Sequence, residues 1–183
     1  MKNFLLVIDI QEGFIDSNTL EAKSRIDALI ASGIFDCVIA SVYSNYEGSP
    51  ISRFMGWYGM MSADEQKVSG NARKSDYFVY KTRYSACCNE LMEFLKKENG
   101  GKIPERVFVA GVDTECCVLL TAAELFEAGI KPIVMAYYCA SSGGEKSHNA
   151  GLESMRSIIG ESNMLFCRID SKQDINKTFP SCI

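Results

Sequence analysis

Three places in the chain combine a reactive side chain with a backbone setting that could use it. Asp9 closes the apolar run Phe4–Ile8, where a carboxylate has poor strand propensity and is costly to desolvate without a partner. Lys81 closes the run Tyr77-Phe78-Val79-Tyr80-Lys81. Cys116 and Cys117 open a helical pattern directly after Arg106–Val112, through Asp113-Thr114-Glu115. A thiol in a first helical turn sits among unpaired N–H groups at the positive end of the helix dipole, which lowers its pKa and favours thiolate. The same N–H groups can hold an oxyanion. A carboxylate for proton transfer, an ammonium for charge balance and a thiol nucleophile are the parts of acyl transfer through a thioester. Taken singly, Asp9 also reads as a turn residue and Lys81 as a solvated strand end. Neighbours on a helix lie about 100° apart, so only one of Cys116 and Cys117 can face a site, and spacing does not choose between them.

The elements around these residues alternate. Strand patterns cover Phe4–Ile8, Cys37–Tyr43, Tyr77–Lys81, Arg106–Val112, Pro132–Tyr138 and Met164–Ile169, and the tail to Ile183 reads as irregular. Helical patterns cover Asn18–Gly33, with Asn18 and Glu21 spaced as a capping box, then Ser85–Lys97, Thr114–Ala128 and Glu145–Ile159. Short apolar strands separated by helices predict a single domain over 1–183, a three-layer α/β/α sandwich around a doubly wound, mainly parallel sheet of about six strands. Ligands in such folds sit beyond the C-terminal strand ends, where Asp9, Lys81 and the turn after Val112 all fall. One connection, 44–76, is far longer than the usual few residues. It carries Tyr46, Arg53, Phe54, Met55, Trp57, Tyr58, Met60 and Met61, and Ser62 with Glu65 could cap a short helix in it. It reads as a lid over the site, as an interface, or as both.

Composition excludes several classes. The chain has 183 residues, 47% hydrophobic and 23% charged, with a net charge of −4, which suits a globular domain with a sizeable core. No Lys/Arg run suggests nucleic acid. No stretch approaches the ~20 apolar residues of a membrane span, and the first apolar run is too short and too acidic at its end for a signal peptide, so a cytoplasmic location is expected. None of the eight cysteines forms a CxxC pair, and His148 is the single histidine, so neither a zinc knuckle nor a thioredoxin-like motif has support.

At its chemistry-bearing residues the sequence resembles the isochorismatase-like cysteine hydrolases, the superfamily of nicotinamidase and N-carbamoylsarcosine amidohydrolase. Asp9-Ile10-Gln11-Glu12-Gly13-Phe14 matches the family's D-x-Q-x-x-F, and Lys81 through Ser85-Ala86 its K-x-x-x-S-A. Gly111-Val112-Asp113-Thr114-Glu115-Cys116-Cys117-Val118 followed by Thr121-Ala122 is similar to G-V-x-T-x-x-C-V-x-x-T-A, the most specific piece. Cys139-Ala140-Ser141-Ser142 through His148 resembles the segment after the fifth strand. The resemblance settles the register: the nucleophile precedes the valine, so it falls on Cys117. It implies an Asp9, Lys81, Cys117 triad and a cis Val112–Asp113 peptide, with the Asp113 and Cys117 N–H groups as oxyanion hole. Gln11, Phe14, Trp57 and Val112 are the residues expected around the substrate.

The departures are informative. Nicotinamidases carry an Asp-x-His metal site after the second strand; here that region reads Ser41-Val42-Tyr43-Ser44-Asn45-Tyr46, so no metal and no other cofactor is expected. Isochorismatases proper, which cleave a vinyl ether, typically lack the cysteine that Cys117 supplies. The resulting expectation is a metal-independent hydrolase of a small amide or related C–N bond, assembled as a homo-oligomer (dimer or tetramer), with neither nucleic acid nor membrane as partner. The alternatives are a catalytically silent binding or assembly module of the same fold, a redox protein using vicinal Cys116–Cys117, and a Cys117–His148 dyad.

Overall fold

The computed structural model describes residues 2–178. Five strands, β1 (Phe4–Ile8), β2 (Cys37–Tyr43), β3 (Tyr77–Lys81), β4 (Arg106–Gly111) and β5 (Lys131–Cys139), form one parallel sheet in the order β3-β2-β1-β4-β5. Apolar residues on both faces of β1 explain its central place, because Phe4, Leu6 and Ile8 pack on one side and Leu5 and Val7 on the other. Helix α1 (Leu20–Ala31) covers the Leu5/Val7 face through Ile26 and Leu29. Helices α3 (Asn89–Glu98), α4 (Leu119–Glu127) and α5 (Gly144–Ile159) cover the other through Leu91, Leu95, Leu125 and Met155. The short α2 (Pro50–Met55) lies within the long connection, capped by Ser49 Oγ and begun by proline. No helix among the described residues is long and apolar enough to cross a membrane.

Several expectations are corrected. The expected doubly wound parallel sheet forms with five strands, and the run Met164–Ile169 does not add a sixth: Met164 makes only an isolated parallel bridge to Val134, and the backbone leaves the sheet after Leu165. The segment after residue 171 is not irregular, since α6 (Lys172–Thr178) forms and buries Ile175 on the α1 face. Asn18 does not cap α1: Thr19 is the residue before its first turn and makes no side-chain cap bond, while Asp16 Oδ1 accepts from the Asn18 and Thr19 N–H groups, and Thr19 Oγ1 from the Asp16 N–H, in the turn that leads in. Ser62 and Glu65 do cap each other, through Ser62 Oγ to Glu65 Oε2 at 2.7 Å, but only a turn follows. Residues 85–88 stay outside the helix, which begins at Asn89, with the Ala86 N–H taken by Thr121 Oγ1 on α4.

The sheet order reverses direction between β1 and β4, and the crevice at such a switch point is where open α/β sheets bind ligands. Asp9 follows β1 and the Asp113–Cys117 turn follows β4, so one residue set stands on each side of that crevice.

Candidate active site

Asp9 leaves β1 with φ 50°, a left-handed conformation that non-glycine residues seldom hold, and this turns its side chain out of the strand alternation. Its N–H donates to Ser41 Oγ, and the Ser41 hydroxyl donates to Asp9 Oδ1 at 2.6 Å. Lys81 lies two strands away, about 10 Å by strand spacing. Its four-carbon stem spans β2, and Nζ reaches Asp9 Oδ2 at 2.6 Å. The same ammonium donates to the Tyr84 carbonyl at 2.8 Å and the Arg83 carbonyl at 3.2 Å, and stands 3.5 Å from Cys117 Sγ. All three side chains are shielded: Asp9 is 0% exposed, Lys81 7% and Cys117 7%.

Cys117 sits in a single π turn, Thr114–Val118, ahead of α4. Such wide turns favour sites where a side chain must be re-aimed. The Asp113 carbonyl accepts from the Cys116 and Val118 N–H groups, and the Cys117 N–H lies between them. The Val112–Asp113 peptide is cis. The Asp113 carboxylate accepts from Ser142 N–H at 2.7 Å and Ser142 Oγ at 2.8 Å, tying the turn to the start of α5. Thr114 N–H and Oγ1 both donate to the Ala140 carbonyl, which leaves Thr114 Oγ1 to accept from His148 Nδ1 at 2.8 Å. His148 is thus committed to Thr114 and not to Cys117. Cys116 and Cys117 are both free thiols.

Electrostatics give the thiol a different resting state from that expected of a first-turn cysteine. Burial pushes Cys117 well above the ordinary thiol range, and the Asp9 carboxylate adds to the shift while Lys81 opposes it. The helix terminus does not win, because the sulfur is cut off from solvent. For Lys81, burial is the largest influence and acts downward, but the charges of Asp9 and Cys117 outweigh it and hold the ammonium above its usual range. Burial and the Asp9 charge thus favour the thiol form of Cys117, and the two negative partners favour the ammonium form of Lys81. Cys116, half-buried beside Glu115 and Asp113, is pushed up to about 11, chiefly by burial.

A cavity of about 370 Å³ opens over Cys117. Phe14 and Trp57, stacked at 12° with centroids 6.3 Å apart, form one wall with Tyr43, and Ile51, Met55 and Tyr84 complete the apolar lining. The 44–76 connection thus does contribute to the roof. Gln11 and Val112 do not line it. Gln11 is fully buried and spends its amide on the Tyr43 N–H and the Tyr43 and Gln66 carbonyls, pinning the end of β2 to the connection. Val112 packs in the core face of Leu5 and Val7. Met55 lines the cavity from the 44–76 connection, as its reading as a lid expects, whereas Tyr43, Tyr84 and Ser142 line it without standing among the residues expected around the substrate; their positions at or just beyond strand ends were the available signal.

A metal does not fit the residues present. Among the described residues no three His, Cys, Asp or Glu side chains converge, and Asn45, after β2, spends its amide on Trp57 and Gly59 carbonyls, the Tyr46 N–H and Ser49 Oγ.

Comparison with known proteins agrees with the fold. Residues 3–162 match the family model described as Isochorismatase domain. Among solved structures, a nicotinamidase from Bacillus subtilis is 24% identical with a TM-score of 0.71, over 87% of this chain and 97% of that one. An N-carbamoylsarcosine amidase from Thermoplasma acidophilum is 21% identical with a TM-score of 0.72, over 90% and 95%. An isochorismatase-like hydrolase from Alkaliphilus metalliredigens is 16% identical with a TM-score of 0.73, over 97% and 96%. No curated protein sequence matches.

Proposed function

The chain belongs to the isochorismatase-domain family, and from that premise we propose that it is a metal-independent cysteine hydrolase of a small amide or related C–N bond. The observation that carries the reading is the buried contact of Lys81 Nζ with Asp9 Oδ2 at 2.6 Å and with Cys117 Sγ at 3.5 Å, Cys117 being the member of the three that lines the cavity. Each residue has a role that follows from its setting. Asp9 takes the Cys117 proton as the sulfur bonds to the substrate carbonyl carbon. The negative charge that collects on the carbonyl oxygen is met by the Asp113 and Cys117 N–H groups. Collapse breaks the C–N bond, and Asp9 passes its proton to the departing nitrogen, leaving a thioester on Cys117. Asp9 then deprotonates a water that attacks the thioester, and the proton returns to sulfur as the acid leaves. Lys81 stays an ammonium throughout and offsets the charge that moves between carboxylate and thiolate.

Ser41 and Ser142 are positioning residues here: the first orients Asp9, the second the turn that carries Asp113. Homo-oligomer assembly belongs to the same proposal, supported by the exposed Phe54 (76%) and Met55 (67%) at the end of α2, and a dilution series in the ultracentrifuge tests it. The chemistry is tested by ammonia release from a panel of small primary amides. Release by the unsubstituted protein and its loss in Cys117→Ala supports the reading; no release from any amide, or equal release by Cys117→Ala, overturns it.

A further inference from the structure

His148 is the single histidine of the chain, and the chemistry proposed for Cys117 makes no use of it. It lies on α5, half-buried, with Nδ1 2.8 Å from Thr114 Oγ1. Thr114 is 0% exposed and begins the π turn that carries Cys117. A hydroxyl has one proton to give. The Thr114 hydroxyl gives it to the Ala140 carbonyl at 2.9 Å, an oxygen that can only accept. With that proton turned to the histidine instead, two acceptor oxygens would face each other at the same 2.9 Å. Both contacts are hydrogen bonds only when Nδ1 carries its own proton and donates it to Oγ1, which fixes the tautomer as Nδ1–H. Gly151, three residues on and on the same face of α5, lies so close to the turn that a Cβ there would stand 2.7 Å from Glu115 N. The helix therefore meets the turn at two points, by close packing at Gly151 and by a directed bond at His148.

Charge does not undo that bond. Burial holds His148 below the ordinary imidazole range, and the Glu115 and Glu145 carboxylates act the other way. Glu115 stands on the turn and Glu145 on α5 itself, while Glu21 and Arg25 of α1 and Cys139 of β5 line the same hollow as the imidazole. Acid adds a proton at Nε2, and Nδ1 keeps the one it gives to Thr114. The contact with the turn is thus the same in both charge states. Cys117 follows Thr114 by three residues, and its raised titration comes first from burial. A turn that loosens at Thr114 lets water toward the sulfur and brings that titration down.

We infer that His148 is a positioning residue whose Nδ1–H, donated to Thr114 Oγ1, holds the start of the π turn and with it the aim of the Cys117 sulfur. What that aim serves rests on the cysteine-hydrolase reading, so the two decisive readouts are chosen to need no turnover. With one histidine, a 15N-labelled sample shows one imidazole in a long-range 1H–15N spectrum. At neutral pH Nδ1 is expected at the shift of a protonated ring nitrogen and Nε2 at that of a bare one, and on acidification only Nε2 is expected to move far. A bare Nδ1 overturns the inference, and this readout uses the unsubstituted protein, so no variant has to fold. The second readout is iodoacetamide labelling of Cys117 against pH. His148→Leu removes the donor, and His148→Asn keeps an N–H near the place of Nδ1. His148→Leu is expected to lower the midpoint and to speed labelling at neutral pH by about threefold or more, and His148→Asn to restore the unsubstituted profile. Equal profiles for all three proteins, or His148→Asn behaving as His148→Leu does, overturn the inference. So does slower labelling in both variants, the mark of a Cys117–His148 dyad. With an amide that is turned over, kcat is expected to fall by about tenfold or more in His148→Leu with KM little changed, and a change confined to KM overturns the positioning role. Absence of ammonia from every amide, with the spectrum and the labelling as expected, sinks the hydrolase reading and leaves the role of His148.

Discussion

At the scale of single residues, the site is a problem of charge in a dry place. Lys81 has three protons to give, and they go to Asp9 and the Arg83 and Tyr84 carbonyls, which leaves the sulfur at a longer 3.5 Å as the fourth neighbour. The two charges next to Cys117 pull its titration in opposite directions: Asp9 raises it and Lys81 lowers it. The sign of two substitutions follows. Asp9→Asn removes the negative charge, so the pH midpoint of Cys117 alkylation falls and labelling at neutral pH speeds up, while amide turnover falls by about 10²–10⁴-fold for want of the base. Lys81→Ala removes the positive charge, so the midpoint rises and labelling slows. Iodoacetamide rates against pH with peptide mapping check both, and midpoints that do not move apart contradict the arrangement.

At the scale of elements, the thiol is placed by its supports as much as by its own helix. The π turn is held by Asp113 against Ser142, by Thr114 against Ala140 and His148, and by the close approach of α5 at Gly151. A Cβ on Gly151 would stand 2.7 Å from Glu115 Cα and N, and backbone does not give way as a side-chain tip does. Gly151→Ala is expected to destabilise the fold by about 1–3 kcal/mol in urea unfolding and to reduce amide turnover by shifting Cys117. Unchanged stability and turnover would show that α5 does not set the turn. Strands β2 and β3 are legible in the sequence to their end residues, because runs of β-branched and aromatic residues stop at polar neighbours. The π turn was not: Thr114–Val118 carries a helical pattern, and only the bonds from Ala140 and Ser142, distant in sequence, widen it. The capping box at Asn18 and Glu21 does not form because the turn from Asp16 to Thr19 closes on itself, with Thr19 Oγ1 donating to the Phe14 carbonyl, and only the path of the chain after Phe14 decides that.

At the scale of the whole molecule, the sequence placed the reactive residues on the C-terminal edge of a parallel sheet, and the sheet order puts Asp9 and the Asp113–Cys117 turn on opposite sides of its switch point. Which residues of the 44–76 connection face the cavity could not be read from a segment without sustained periodicity; Gln11 was assigned to substrate when its amide is spent on backbone. The span 172–178 reads as irregular because its one apolar residue, Ile175, is too little pattern to announce a helix. Ile175 is nevertheless 0% exposed on the α1 face. Ile175→Ala is expected to cost about 2–5 kcal/mol in urea unfolding and to leave Cys117 alkylation unchanged, since the α1 face lies across the sheet from α4. A cost within about 0.5 kcal/mol, the range of surface substitutions, would show that the helix does not belong to the body.

The central claim is a thioester on Cys117, and hydroxylamine reads it most directly, because that nucleophile intercepts an acyl-enzyme to give a hydroxamate in place of the acid. With an amide that the protein hydrolyses, the account predicts ammonia and hydroxamate together, the hydroxamate growing at the expense of acid as hydroxylamine is raised, and neither product from Cys117→Ala. Ammonia without hydroxamate, or both products from Cys117→Ala, would contradict it.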